Sequence, residues 1–367
     1  MHRNQDGHVR IYGAGLIALD AVVNEATPDR RRHYAGGTCG NVLAILSQMG
    51  WHAIPISRLA PDGAGKSVRK DMKSWLVDLE YVGIEPQAPT PMIIEEIYQN
   101  RSGAAAHRYS WRCPGCGRYL PQYRAVPGRI VVDLLPRLRP ASVFFFDRVS
   151  RGTIELARHF ASQGAAVVFE PSTAADPKLL REALRLCHVL KYSSQRSRAF
   201  MDLLPQSTAW LEIETLGEDG LCYRSSLPAC PTRDWRHVKG FEVQKLKDAA
   251  GSGDWCTAGM ISALMTHGVE GLAETTFEKL EGALRYGQAL SAWNCGFEGP
   301  RGGMYALTRG TLNRVLNTLL TGTQVTEPVL NGRRRHAGSW AAEFCPACAP
   351  AKRHRRRIAV RTRTAMR

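Results

Sequence analysis

Along most of the chain, short apolar runs alternate with segments whose apolar residues recur at helical spacing, and this alternation limits the fold more than any other feature. "SVFFFD" and "AAVVFEP" are runs of aromatic and β-branched residues too short for helices, while "GTIELARHFASQG" between them has helical periodicity and stops at Gly164. The same reading gives "NVLAILSQMG" as a helix ended by Gly50, "PKLLREALRLC" as a helix, "HVLKYS" and "TAWLEIETLG" as strands, and "SGDWCTAGMISALMTHG" as a long helix. "HVRIYGAGLIALDAVV" reads as a first strand running into a turn. Repeated β-then-α units predict an α/β fold with a mostly parallel sheet between helices, whose ligands sit beyond the carboxyl ends of the strands. "TPMIIEEIYQNRSGAAAHRYSW" interrupts this order with strand-like stretches around a glycine turn and no helix between them, and predicts a small antiparallel β flap. With 367 residues, 44% of them hydrophobic, the chain has ample core for such a domain.

Two stretches resemble phosphate sites. "PDGAGKSVRKDM" ends like a P-loop, whose G-x-x-x-x-G-K-[ST] spacing wraps backbone N–H groups around phosphates. Ala60 stands where the first glycine is required, so the motif fails and Lys66 is expected to face solvent. "KDAAGSGDWCTAGMISALM" is the stronger candidate. Its small residues from Ala249 to Gly253 let the backbone bend toward an anion, and the following helix aims free N–H groups and its dipole at the same spot. Asp254, in the first turn, can take a proton from a hydroxyl held beside the phosphate or can serve as a helix cap.

"DAAGSGD" resembles the D-T-x-G-A-G-D signature of the ribokinase-like, or PfkB, carbohydrate kinase family. "AGGTCGNVLAILSQMGW" resembles that family's G-G-x-x-x-N sugar-site segment, and "TLGEDG" its T-x-G-x-x-G nucleotide loop. The resemblance implies a ribokinase-like sandwich over residues 1–330, with a small antiparallel β lid at about 20–37 and 88–128 closing over the substrate to exclude water. It implies that Asp254 is the catalytic base and that the amides of Gly251, Ser252 and Gly253 form an anion hole. It further implies that Asp20, Gly36, Gly37 and Asn41 bind substrate hydroxyls and that Thr215, Gly217 and Gly220 hold ATP. The implied activity is ATP-dependent phosphoryl transfer to a hydroxymethyl group of a sugar, with Mg²⁺ bridging the nucleotide oxygens. A nucleoside kinase, and a weakly active sugar- or nucleotide-binding regulator, are the alternatives.

Two departures bear on the metal. Where the family carries N-x-x-E, this chain has Ser193 to Arg196 and no acid; where it more often has D-P-N, Glu170 stands in "FEPS". Metal dependence is therefore left open, with Glu170 as the compensating acid.

Cys113 and Cys116 in "CPGCG", and Cys345 and Cys348 in "CPAC", form two C-x-x-C pairs. Each pair can turn two thiolates toward one ion, and two pairs supply the four soft ligands of tetrahedral zinc. Their separation along the chain leaves two unrelated reduced pairs, one structural Zn²⁺ within a chain, or one across a homodimer formed through the lid. Cys187, Cys222, Cys256 and Cys295 lie among apolar neighbours and read as core. Trp255 either lines the base or packs its helix, and packing is favoured. His107 and Tyr109 alternate in the flap strand, within reach of a substrate or, the favoured reading, on the surface.

The net charge of +16 is unevenly placed: from Arg333 to Arg367 there are eleven Lys or Arg against one acid, Glu343. Residues 331–367 therefore read as a basic, mobile tail, solvated or in weak contact with nucleic acid through counterion release. No apolar run is long enough to span a membrane, and the N-terminal apolar stretch carries Asp20, where a signal peptide would be purely apolar. A cytoplasmic protein with reduced thiols, acting on a small sugar or nucleoside, is expected.

Overall fold

The computed structural model describes residues 9–27, 32–83, 88–101, 103–171, 176–243, 245–322 and 344–348. Its strands in chain order are β1 (Arg10–Ala14), β2 (Ala18–Asn24), β3 (Arg32–Gly36), β4 (His52–Pro55), β5 (Met92–Gln99), β6 (Ala105–Ser110), β7 (Val143–Phe146), β8 (Ala166–Phe169), β9 (Val189–Ser193), β10 (Leu211–Thr215), β11 (Leu221–Ser225) and β12 (Arg236–Val238). The main sheet runs β12-β11-β10-β9-β8-β7-β1-β4, parallel from β4 to β10 and antiparallel at the β11–β12 edge.

The strand sequences explain why both faces are covered. In "VFFF", Val143 and Phe145 point into a core cluster shared with the helices Thr38–Gln48, Ser252–Leu264 and Phe277–Asn294. Phe144 and Phe146 point the other way, against the helices Gly128–Leu134, Arg151–Ser162 and Pro177–Leu186. A run apolar at every position is what a sheet buried on both sides requires. Local chemistry starts the helices where the sequence indicates. Ser150 accepts from the Thr153 amide while Thr153 accepts from that of Ser150, and Asp176 caps a helix that opens with Pro177.

The flap strands β5 and β6 pair antiparallel around their turn, as expected; the sheet they belong to runs β3-β2-β5-β6, and because β2 pairs with β5 in parallel the lid as a whole is mixed. The segment read as one strand running into a turn divides at Gly15–Ile17: β1 stays in the main sheet and β2 enters the lid. Between β3 and β5 the chain passes through the helix Thr38–Gln48, β4 and the helix Gly63–Ser74, the kind of long crossover that parallel pairing needs.

The P-loop-like stretch serves packing. Asp62 caps the helix Gly63–Ser74 by accepting from the Gly65 amide at 2.7 Å, and it also accepts from the Thr90 amide at 3.1 Å. A Cβ at Gly65 would lie 2.0 Å from the Ala60 carbonyl oxygen, and Lys66 is exposed. Gly65→Ala should therefore lower stability by about 1–3 kcal/mol, whereas Lys66→Ala should change it by less than about 0.5 kcal/mol. Urea melts of the two variants check this.

Candidate active site

The site is built where strand ends of the main sheet meet the N-terminus of the helix Ser252–Leu264. Gly251 is the N-cap of that helix in the left-handed conformation, φ 70°, and a Cβ there would lie 2.4 Å from the Pro300 carbonyl oxygen. Only glycine fits. No side chain caps this end, so its dipole and first-turn N–H groups are left for another acceptor. Of the three amides assigned to an anion hole, that of Ser252 donates to the Ala249 carbonyl at 3.2 Å, within the loop itself.

Asp254 does not cap the helix. Its Oδ2 accepts from Asn41 Nδ2 at 2.7 Å, and Asn41 Oδ1 accepts from Arg301 Nε at 3.0 Å. Arg301, 1% exposed, also donates through Nη2 to Asp71 at 3.0 Å and to the Ala35 carbonyl. Asp71 in turn accepts from the Ala35 amide at 2.9 Å and the Tyr305 hydroxyl at 2.7 Å. On β2, Asp20 accepts from the Gly37 amide at 3.3 Å and lies so close to Gly36 that a Cβ there would be 1.8 Å from its Oδ2. Asp20, Gly36, Gly37, Asn41 and Asp254 thus converge on one buried locus. Among the described residues, Asp20 Oδ1 and Arg301 Nη1 are buried there with no protein partner.

Burial drives the electrostatics. It pushes the Asp254 carboxyl up to about 7, reinforced by the charge of Glu170 and opposed by the Asn41 amide and Lys191. Burial likewise pushes Asp20 up to about 7, against the Gly37 amide and the charge of Arg301. Lys191 and Glu170 sit beside the helix N-terminus, each 3.6 Å from where a Gly253 Cβ would be, and pair at 2.9 Å. Burial disfavours the Lys191 ammonium, but the Glu170 carboxylate outweighs it and holds the Lys191 pKa above its ordinary value. The other Glu170 oxygen accepts from the Thr257 hydroxyl at 2.6 Å.

Thr215, Gly217 and Gly220 lie apart from this cluster, at the carboxyl end of β10. The Thr215 hydroxyl donates to the Tyr192 carbonyl at 3.4 Å, tying the ends of β9 and β10 together. Gly220, φ 99°, is pressed against the backbone of Val238 and Gly240, where a Cβ would come within 2.3 Å of the Val238 oxygen. Trp255 packs, donating to the Pro300 carbonyl at 3.1 Å and standing edge-on to Trp293. His107 departs from the surface reading: its Nδ1 is 3.1 Å from Asp248 Oδ1, joining the lid to the loop that leads into Gly251. Tyr109 packs on Leu16, Ala18 and Ile93. The sulfurs of Cys113, Cys116, Cys345 and Cys348 all lie within 4.8 Å of one another. Of the tail read as mobile, Phe344 and Cys345 are buried; its remainder outside 344–348 lies outside the described residues.

Sequence reasoning missed Arg301, Asp71 and Lys191. The available signal was a charged residue in tight or apolar surroundings, Arg301 within "GPRGG" and Lys191 within "HVLKYS".

This architecture, a doubly covered parallel sheet with a β lid over an Asp-bearing helix N-terminus, is the ribokinase-like fold, and the chain resembles the PfkB carbohydrate kinases in both structure and sequence. An ATP-dependent ribose-1-phosphate kinase from Halopiger xanaduensis is 25% identical over 314 residues, covering 80% of this chain and 94% of that protein. The structure of a Burkholderia thailandensis nucleoside kinase in complex with inosine aligns with a TM-score of 0.59 at 16% identity, over 86% of this chain and 98% of that one. That of Arabidopsis thaliana ribokinase complexed with ribose and ATP aligns with a TM-score of 0.57 at 15% identity, over 84% and 99%. No family model matches the chain.

Arg301→Met removes the donor that orients Asn41 and strands Asp71 without its cation, so it should cost about 3–5 kcal/mol of stability. Arg301→Lys should recover only part of the loss, because an ammonium cannot reproduce the planar fork. Equilibrium unfolding of the two variants measures both effects.

Proposed function

We propose that this chain is an ATP-dependent kinase that phosphorylates a hydroxymethyl group of a ribose-containing sugar or nucleoside. The observation that carries the reading is Asp254: a buried carboxylate at an uncapped helix N-terminus, oriented by Asn41 and titrating near neutrality. A base with that pKa suits proton removal from a hydroxyl at physiological pH. Asp254 takes the proton of the acceptor hydroxyl as it attacks, and the helix N-terminus beside Gly253 stabilises negative charge on the transferred group. Asp20 Oδ1, an unmatched acceptor, and Arg301 Nη1, an unmatched donor, suit the donor and acceptor oxygens of a polyhydroxylated ring. The preference for ribose draws support from the ribose-1-phosphate kinase relative and from the neighbour bound to inosine.

ATP supplies the phosphoryl group, and Mg²⁺, when bound, neutralises its oxygens. Thr215, Gly217 and Gly220 are proposed to hold the nucleotide at the end of β10. Both Glu170 oxygens are engaged, by Lys191 and Thr257, so Glu170 suits charge balance at the loop better than metal ligation. The family's acidic position is Arg196 here, and Mg²⁺ is accordingly assigned to the nucleotide phosphates.

Among the described residues no helix is long and apolar enough to cross a membrane. The cytoplasm is the proposed location, matching ATP use and ten cysteines that are all unpaired. A homodimer through the lid, and polyanion contact by the basic residues of 331–367, complete the proposed partners. Sedimentation at micromolar concentration should show the dimer, and polyanion binding should fall steeply as salt rises. Monomer at all concentrations, or salt-insensitive binding, would remove the respective partner.

Asp254→Asn keeps size and the Asn41 neighbourhood but removes the proton acceptor, so kcat should drop by about 10²- to 10⁴-fold with substrate binding retained. A folded variant turning over at the parental rate would remove Asp254 from the mechanism. Salt-sensitive nucleic-acid binding with no phosphoryl transfer to any sugar or nucleoside would favour the regulator instead.

The pH profile offers a second check. Asp20 and Asp254 both titrate near 7 and both act as carboxylates, so kcat/KM should fall below about pH 7 with a limiting slope approaching about two. Asp20→Asn leaves one titrating carboxylate and should reduce that slope to about one.

A further inference from the structure

Four thiols from distant parts of the chain meet beside the lid. Cys113 and Cys116 follow β6 on a turn closed by the Gly117 amide donating to the Cys113 carbonyl at 2.8 Å, with Gly117 at φ 69°. Cys345 and Cys348 form a second turn, closed by the Cys348 amide donating to the Cys345 carbonyl at 3.1 Å. Between the turns, Cys113 Sγ lies 3.7 Å from Cys348 Sγ, and Cys116 Sγ 3.8 Å from Cys345 Sγ.

These separations decide between the chemistries available to paired cysteines. A disulfide requires about 2.05 Å between sulfurs. Four thiolates about 2.3 Å from one tetrahedral ion stand about 3.8 Å from each other. The two contacts between the turns match that edge length, and all four sulfurs lie within 4.8 Å of one another, close enough to share one ion. An all-sulfur donor set excludes the hard cations Mg²⁺ and Ca²⁺.

We propose that Cys113, Cys116, Cys345 and Cys348 bind one structural Zn²⁺ within a single chain and that this ion staples the C-terminal segment to the lid. The two edges of the lid sheet are β3 and β6. The segment Phe344–Cys348 touches the neighbourhood of both: the Phe344 ring stands edge-on to His33 of β3 at 5.0 Å, and the cysteines meet the turn that follows β6. Phe344 and Cys345 are buried in the same core cluster as Cys113 and Leu120, the one that also holds Val143 and Phe145, so the ion would tie the C-terminal segment to the main core. A structural site of this type is coordinatively closed, with no position for substrate, so its work is to hold the two segments together.

Elemental analysis of full-length protein purified with reductant and without chelator should find about one zinc per chain. Cobalt exchanged into the protein should show the intense sulfur-to-metal absorption of a tetrathiolate. Cys116→Ser, at an exposed position, leaves the core intact and should lower zinc content and abolish that cobalt spectrum. Titrating zinc out of the unaltered protein with a mercurial reagent should release all of it as four thiols react, and should speed amide hydrogen exchange in β3 and in residues 111–120. Absence of metal, iron in place of zinc, or two disulfides by mass spectrometry would overturn the site. Zinc present, with exchange in β3 and 111–120 unchanged by its removal, would overturn the staple. None of these readouts depends on kinase activity.

Discussion

A buried guanidinium fixes the geometry on which the rest of the site depends. Arg301 gathers Asp71 from the helix Gly63–Ser74, the Ala35 carbonyl from β3 and Asn41 from the helix Thr38–Gln48, with the Tyr305 ring 5.4 Å away. Burial of such a cation costs several kcal/mol, and the carboxylate and the carbonyl offset it only because the planar fork meets them together. Its chemistry also settles the orientation of Asn41. A guanidinium only donates, so the side of Asn41 facing it must be the carbonyl oxygen, and the amide nitrogen must face Asp254. One cation in the interior therefore aims the side chain that aims the carboxylate.

The same burial gives the two site aspartates similar pKa values and different surroundings. Asp254 has Lys191 and the helix N-terminus near it and Glu170 against it; Asp20 has one backbone amide and the distant charge of Arg301. Each accepts one amide on Oδ2, from the Gly37 backbone at Asp20 and from the Asn41 side chain at Asp254, and Asp20 Oδ1 is buried with no protein partner. Lys191 and Glu170 form an internally neutral pair beside Gly253, so charge at this point is balanced by protein groups.

What the sequence made legible was what local rules control. The parallel sheet followed from runs such as "VFFF", whose alternate residues must bury on both sides, and helix ends followed from Gly50 and Gly164, both at positive φ just past their helices. The convergence of Asp20, Gly36, Gly37 and Asn41 on Asp254 was visible through motif resemblance, which marks these positions together although they are far apart in the chain. For Arg301 the tight "GPRGG" setting was a weak signal: an arginine among glycines is usually solvated, and only tertiary packing shows that it is buried. The mixed lid was missed for a related reason. Strand pairing depends on where a crossover returns, and the apolar pattern of β2 does not say that it leaves the main sheet.

His107 and Asp248 show how an unremarkable surface pattern becomes part of the site. Asp248 Oδ1 accepts from the Ala250 amide at 2.9 Å and faces His107, while Oδ2 accepts from the Gly299 amide at 2.8 Å. The carboxylate thereby ties the anion loop, the Gly299 turn before Arg301 and the lid strand β6. Burial raises the Asp248 pKa, but these donors outweigh it and hold the group below its ordinary value. Glu95, buried on β5 beside it, is pushed well above the usual carboxylate range by burial and by Asp248 itself. The two neighbouring acids are thus pushed in opposite directions, the arrangement that avoids two like charges in a dry space. Residues 95, 107, 248 and 299, unrelated in sequence, act as one electrostatic unit, and the loop that leads into Gly251 is set from the lid as well as from the sheet.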